Sequence, residues 1–153
     1  MECDFGKRHK FIIDEDEVNT YKNYCFVLHK DGYVQVSSRK EGKKGKLLHR
    51  LIMNVEDPKV QVDHINGNGL DNRKSNLRLC CNSQNQMNKG KTKLNTTGFK
   101  GVCFHKLTQK YQATVSLNKK QIYLGLFDTA EEAHQAYCKR ATELHKEFAN
   151  FGQ

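Results

Sequence analysis

Between Asn88 and Thr97 the chain carries Lys89, Lys91 and Lys93 and shows no apolar periodicity. Such a stretch reads as a basic linker, and it divides the chain into two small modules. In 153 residues neither module can build a large core. A domain of about 60 residues buries only about 60% of the surface its unfolded chain exposes, so each half gains by docking on a neighbour, a metal or a ligand.

The charge names a class of partner. The formal net charge is +9, and it is unevenly placed: residues 1–20 hold −3 and the rest of the chain +12. An excess of Lys and Arg displaces condensed counterions from nucleic acid, which fits a partner bearing phosphate. The six cysteines, Cys3, Cys25, Cys80, Cys81, Cys103 and Cys138, include no CxxC pair, which argues against a four-cysteine zinc site. Nothing near Met1 resembles a signal peptide, and no apolar run approaches the roughly 18 residues of a membrane span. The expected setting is a reducing cytoplasm, with no secretion and no membrane partner.

Within the first module, Tyr24 to Leu28 and Tyr33 to Val36 are β-prone runs flanking Lys30-Asp31-Gly32, the pattern of a hairpin. Arg39 to Lys46 is dense in charge and glycine and reads as a mobile loop. Leu47, Leu48, Leu51 and Ile52 then have helical spacing, and that helix ends before Pro58. From Val60 the pattern is a strand, a polar loop from Asn66 to Ser75, a strand at Leu77 to Cys80, and a polar helix from Asn82 or Ser83: a ββα outline. The last third predicts strands near Phe99 to His105, Tyr111 to Leu117 and Gln121 to Leu126, then a helix from Ala130 to Lys146. Thr129 and Glu132 form a capping box at its start, and Ala130, Ala133, Tyr137, Ala141 and Leu144 share one helical face.

Hydrolysing a phosphodiester takes a base to activate water and a cation to stabilise charge on the phosphate and the leaving oxygen. Asp63-His64 offers an oxygen ligand beside an imidazole. The two side chains can address a metal and a water only if the strand ends there, as Asn66-Gly67-Asn68-Gly69 implies. A calcium loop counted from Asn66 would need a glutamate where Leu77 stands, so that reading fails.

The run Val62-Asp63-His64-Ile65-Asn66-Gly67, followed by Asp71-Asn72-Arg73, Asn76-Leu77-Arg78, Asn85 and Asn88, with His49-Arg50-Leu51 upstream, resembles the HNH homing endonucleases. The resemblance implies that His64 is the general base, that Asp63 and Asn85 hold one divalent cation, with Asn88 as the alternative to Asn85, and that Asn76 braces the loop. Oxygen ligands suit Mg²⁺ or Mn²⁺, one per active site, and no small-molecule cofactor. His49 stands between a catalytic role and a structural or phosphate contact. Arg50, Arg73 and Arg78 are candidate DNA contacts.

In the second module Lys100, His105, Lys110, Lys119 and Lys120 are interleaved with Tyr111 and Tyr123, and a three-stranded ribbon fits a major groove about 12 Å wide. The lysines would neutralise phosphate, while His105, Gln112, Thr114 and Tyr123 are candidates for base edges. Residues 99–151, through Lys100-Gly101-Val102, Lys110-Tyr111-Gln112-Ala113, Tyr123 to Thr129, Ala133, Ala136-Tyr137 and Asn150-Phe151, resemble the plant ethylene-response-factor (apetala-type) domain. That family lays a three-stranded sheet in the major groove. Cys103, His105 and Leu107 stand at strand positions where the plant proteins present arginine or tryptophan, so the resemblance implies no particular target sequence.

The sequence therefore predicts an α+β chain: an acidic segment over 1–20, a ββα-metal HNH module over 21–90, a linker over 91–97, and a three-stranded antiparallel sheet packed on one helix over 98–153. The expected activity is site-preferring cleavage of duplex DNA by a monomer or weak dimer, phage-encoded and acting in a bacterial host. Two alternatives differ in class: a non-catalytic, sequence-specific DNA-binding regulator with a relic HNH fold, and a nuclease for structured or single-stranded nucleic acid.

Overall fold

The computed structural model describes residues 1–5, 9–38, 45–92 and 94–152, and its internal contacts divide it into two units, Met1–Cys81 and Asn82–Gln153. The charged loop expected from Arg39 falls largely outside the described residues, as does Lys93 of the basic linker.

In the first unit, strands β1 (Glu2–Phe5) and β2 (His9–Ile12) pair antiparallel, and helix α1 (Glu15–Tyr21) follows. Strands β3 (Tyr24–Leu28), β4 (Val34–Ser38) and β5 (Lys46–Leu47) form a sheet in that order. Gly32, at φ +86°, makes the tight turn between β3 and β4, a backbone shape that favours glycine. Helix α2 (Leu48–Ile52) leads to a hairpin of β6 (Gln61–His64) and β7 (Leu77–Cys80), with a 3₁₀ turn over Lys74–Asn76 inside the connecting loop. Alternation puts Val34 and Val36 of β4 inward, where Phe11, Ile13, Leu48, Val62 and Leu77 complete one core. Residues 1–20, set apart by their negative charge, are thus part of this unit, because Phe11 and Ile13 are fully buried in its core.

The β6–β7 hairpin gives the two strands of the expected ββα outline. The helix after it, α3 (Asn82–Asn88), groups with the second unit, so the division falls before the basic linker.

The second unit holds β8 (Val102–His105), β9 (Lys110–Leu117), β10 (Lys120–Phe127) and α4 (Ala130–His145), with sheet order β10-β9-β8. Ala113 and Val115 of β9 turn one sheet face to Ala133, Tyr137 and Ala141 of α4. Small residues at the crossing bring helix and sheet close. Gly101, at φ +77°, lies where any β-carbon would collide with the Tyr137 ring. The capping box is formed: Thr129 Oγ1 accepts from the Glu132 amide at 3.2 Å, and Glu132 Oε2 from the Thr129 amide at 3.3 Å. Among the described residues no helix is long and apolar enough to cross a membrane.

Candidate active site

Asp63 and His64 are the last two residues of β6, paired in register with Arg78 and Leu77 of β7. Both are about 95% buried. Consecutive strand residues point to opposite faces, and the strand ends in a turn closed by the Gly67 amide on the His64 carbonyl at 2.8 Å. The carboxylate and the imidazole therefore diverge from one point of the backbone.

The loop from Ile65 to Asn76 carries no apolar core of its own and is held by side-chain amides. Asn76 Oδ1 accepts from the Asn66 amide at 3.0 Å, while its Nδ2 donates to Asn66 Oδ1 at 3.0 Å and to the Asp71 carbonyl at 2.8 Å. Asn66 and Asn68 each accept from an amide two residues on, the geometry of Asx turns. Asp71 is buried and takes both Nε and Nη2 of Arg73, at 2.8 and 2.7 Å, and that guanidinium holds its carboxyl below the usual range. The loop also leans on the N-terminal strand: the Ile12 amide donates to the Leu70 carbonyl at 2.8 Å and the Asn72 amide to the Ile12 carbonyl at 2.7 Å. Asp14 caps the 3₁₀ turn by accepting from the Lys74 amide, and Lys74 Nζ is paired with Asp16 and Glu17.

His64 Nε2 lies 3.3 Å from Asn72 Oδ1, and Asn72 is fully buried. With the amide so oriented, Nε2 carries the hydrogen and Nδ1 the lone pair. Burial pushes the imidazole below the usual histidine range, opposed by the Asn72 bond and the carboxylates of Asp63 and Asp71, so the ring is held neutral. A neutral imidazole with a fixed tautomer is what a general base requires.

Two more rings surround it. Tyr33 stacks on His64 with centroids 5.6 Å apart and planes at 21°. His49 meets His64 edge to face at 5.0 Å and 87°, and meets Tyr33 at 5.2 Å and 71°. His49 is buried too, its Nδ1 finds no hydrogen-bond partner, and burial, followed by His64 and Arg50, lowers its pKa to about 3.

The arginines expected on DNA are engaged within the unit. Arg78 Nε and Nη2 both reach Asp63 Oδ2 at 2.8 Å; Arg50 donates to the carbonyls of Val60 and Asp57 at 2.7 and 2.8 Å; Arg73 holds Asp71. Asn85 and Asn88, the candidate second ligands, lie on α3 in the other unit, and Asn88 is buried there.

A divalent cation fits the donor chemistry at Asp63. The buried carboxylate already carries a cation, the Arg78 guanidinium, and both contacts fall on a single oxygen, Oδ2. It is a hard oxygen donor of the kind Mg²⁺ and Mn²⁺ take. No cluster of three or more His, Cys, Asp or Glu side chains able to hold a metal occurs among the described residues.

In the second unit, register places His105 opposite Lys110, and Thr114 opposite Tyr123, on the sheet face away from α4, together with Gln112. Tyr123 is exposed, His105 Nδ1 lies 2.8 Å from Thr108 Oγ1, and Lys110 is paired with Asp128 at 2.9 Å. Lys119 and Lys120 lie at the β9–β10 turn. Lys100 is elsewhere: its Nζ donates to the Met87 carbonyl at 2.8 Å, and burial lowers its pKa to about 8.

Sequence reading left Asn72 and Tyr33 without roles. Asn72 stood inside the quoted Asp71-Asn72-Arg73 run, so a signal existed. Tyr33 followed the turn glycine and carried none beyond being aromatic.

Residues 46–87, from β5 through α3, match the model of an HNH endonuclease family. The chain is 37% identical over 90 residues to Protein 3.8 of Escherichia phage T7, covering 59% of this chain and 74% of that protein. It is 31% identical over 145 residues to a protein named as an uncharacterized HNH endonuclease of Acanthamoeba polyphaga mimivirus, covering 94% of this chain and 75% of that protein. No solved structure matches it. With Asp63, His64, Asn72 and Asn76 all inside the matched segment, and a relative of that name aligned along nearly its whole length, the chain belongs to the HNH endonuclease family.

Proposed function

We propose that this nuclease is a DNA endonuclease of the homing type, using one Mg²⁺ or Mn²⁺ whose ligands, as the resemblance implies, are Asp63 and Asn85 or Asn88. The observation that carries the reading is His64, a buried neutral imidazole whose tautomer is set by Asn72 and which leaves the backbone beside a buried carboxylate. A bound divalent cation supplies Lewis-acid stabilisation of charge on the phosphate and the leaving oxygen. His64 Nδ1 takes the proton from the attacking water. Asn72 keeps Nε2 protonated, and Asn76 holds the loop that aims the ring. Asp63 would hold the cation there, and Arg78 would then share or give up that carboxylate.

Duplex DNA is gripped by the second unit. The face carrying His105, Lys110, Gln112, Thr114 and Tyr123, with Lys119 and Lys120 at the turn, suits the major groove in the manner of the ethylene-response-factor domain it resembles. Lys100, Arg50, Arg73 and Arg78 are committed to internal contacts and lend themselves less to phosphate binding. One site per chain makes nicking the expected product.

The test is supercoiled plasmid incubated with the protein in Mg²⁺ or EDTA, beside His64→Ala. Open-circle DNA that appears only with Mg²⁺ and disappears in the variant is the expected result. The Asp63–Arg78 pair favours one other reading, a DNA-binding regulator whose carboxylate is permanently neutralised. That reading gains if the plasmid stays intact while its mobility in a gel is still retarded.

A further inference from the structure

Helix α3 is seven residues long and polar, and neither apolar cluster of the second unit includes any of its side chains. It is propped against the rest of its unit rather than packed on it: Ser83 Oγ donates to Asn118 Oδ1 at 3.1 Å near its start, and Lys100 Nζ to the Met87 carbonyl at 2.8 Å near its end. A helix held off at both ends leaves a space behind it. That space is a cavity of about 940 Å³, lined by the second unit and within the size range of small-molecule sites.

Strand register gives the cavity a polar wall. Strand β8 begins at Val102, and just before it the Thr114 amide of β9 donates to the Gly101 carbonyl at 2.8 Å. Ser116, two residues on, turns its backbone to the same edge of β9, past the end of β8. There its carbonyl meets His145, the last residue of α4, whose Nε2 lies 2.8 Å away. A carbonyl only accepts, so Nε2 carries the hydrogen, and the neutral ring presents a lone pair at Nδ1. His145 is about 95% buried and lines the cavity, and its Nδ1 has no hydrogen-bond partner among the described residues. Native interiors rarely leave such an acceptor unmet.

We infer that this cavity is a subsite for an unpaired nucleobase of the bound DNA, whose N–H donates to His145 Nδ1 while Lys119 at the rim holds the adjoining phosphate. The inference rests on the reading that this unit grips DNA. Three features favour a base. The lining runs from Tyr137 and His145 of α4 round the edge of β9 to Thr114, Ser116 and Gln121, so the cavity reaches the sheet face proposed for DNA. The side-chain amides of Gln86 and Gln121 offer donors and acceptors together, the combination that pairs with base edges. Two lysines, Lys100 and Lys119, and no carboxylate line it, which suits a base joined to phosphate and disfavours a cationic ligand.

Pulling a paired base out of the stack is costly, so DNA with one base already unpaired is the better ligand. The experiment measures the affinity of the full-length protein, in EDTA, for three duplexes of one sequence: fully paired, with one adenine bulged near the centre, and with an abasic residue at that bulge. The abasic duplex keeps the bent backbone and removes the base. The subsite predicts that the adenine bulge binds about 10-fold tighter than either of the others. That preference should vanish in His145→Phe, which removes the acceptor, and in Gln86→Trp, which fills the cavity from an exposed helix position. Both variants should hold the paired duplex within about twofold of wild type. An adenine analogue, 2-aminopurine, at the bulge should brighten on binding wild type and not the variants. Should His145→Phe unfold, Gln86→Trp decides alone. Equal affinity for the adenine and abasic bulges, or a preference that survives Gln86→Trp, would overturn the proposal. If no duplex binds at all, the DNA reading of this unit fails, and the ¹⁵N signals of the His145 ring on adding adenosine monophosphate decide the rest: a shift keeps a base subsite fed by free nucleotide, and no shift ends it.

Discussion

Arg78 and Asp63 form the most consequential pair of single residues in the first unit, because both are largely buried and the carboxylate is the proposed cation ligand. Removing the guanidinium strands a charge in the interior, which for buried pairs costs about 3–5 kcal/mol. In EDTA, Arg78→Met is therefore expected to lower the unfolding temperature markedly. Mg²⁺ should restore part of that loss and should stabilise the variant more than wild type, since the ion no longer competes with an internal cation. Melting curves with and without Mg²⁺ check this, and an equal Mg²⁺ response in both proteins would mean that Asp63 does not receive the ion. The pair also shows where sequence reading stops. Asp63, His64 and Asn76 stood out as a motif, but the tasks of Arg50, Arg73 and Arg78 did not, because a positive charge announces attraction without saying which anion or carbonyl lies within reach. Asp63 and Arg78 are fifteen positions apart, and only strand register makes them neighbours.

Helix α3 is tied to the sheet of its own unit by Lys100, whose Nζ caps it at the Met87 carbonyl. Burial lowers that lysine from 10.5 to about 8. Between pH 8 and 10.5 the unfolded chain thus binds more protons at this site than the folded one, and stability rises with pH across that window. Below pH 8 the penalty of the buried charge is fully present. Lys100→Met abolishes the effect, so the difference in unfolding temperature between wild type and variant should shift in favour of wild type from pH 8 to 10.5; a constant difference would argue against a buried ammonium. Several elements were legible. Leu77 to Cys80 is a strand at the expected residues, the Asp31-Gly32 hairpin forms, and Thr129 with Glu132 starts α4 at Ala130. The strand expected from Phe99 begins only at Val102, because Gly101 at positive φ and the turn closed by the Val102 amide on the Phe99 carbonyl hold the chain out of the sheet. The acidic segment hid its structural part: its charges drew attention from Phe11 and Ile13, whose burial depends on strands far away in sequence.

At the scale of the molecule, an excess of 26 Lys and Arg over 17 Asp and Glu sets how the enzyme meets DNA. Affinity should fall steeply with salt, by a slope near −0.9 per phosphate neutralised on a plot of log affinity against log salt concentration. Lys119→Ala together with Lys120→Ala should flatten that slope by about 1 to 2, measured by gel retardation from low to moderate salt. An unchanged slope would move the phosphate contacts off the β9–β10 turn. The N-terminal strand has a different consequence. Ile12 bonds to Leu70 and Asn72, and Asp14 to the amide of Lys74 sixty residues later, so the cutting centre is stitched together from the two ends of the first unit. During translation β2 can pair with β1 at once, but Leu70, Asn72 and Lys74 come some sixty residues later, and β6 has no partner in its sheet until β7 follows. A chain that stops short of Leu77 therefore lacks the hairpin on which Asp63 and His64 sit.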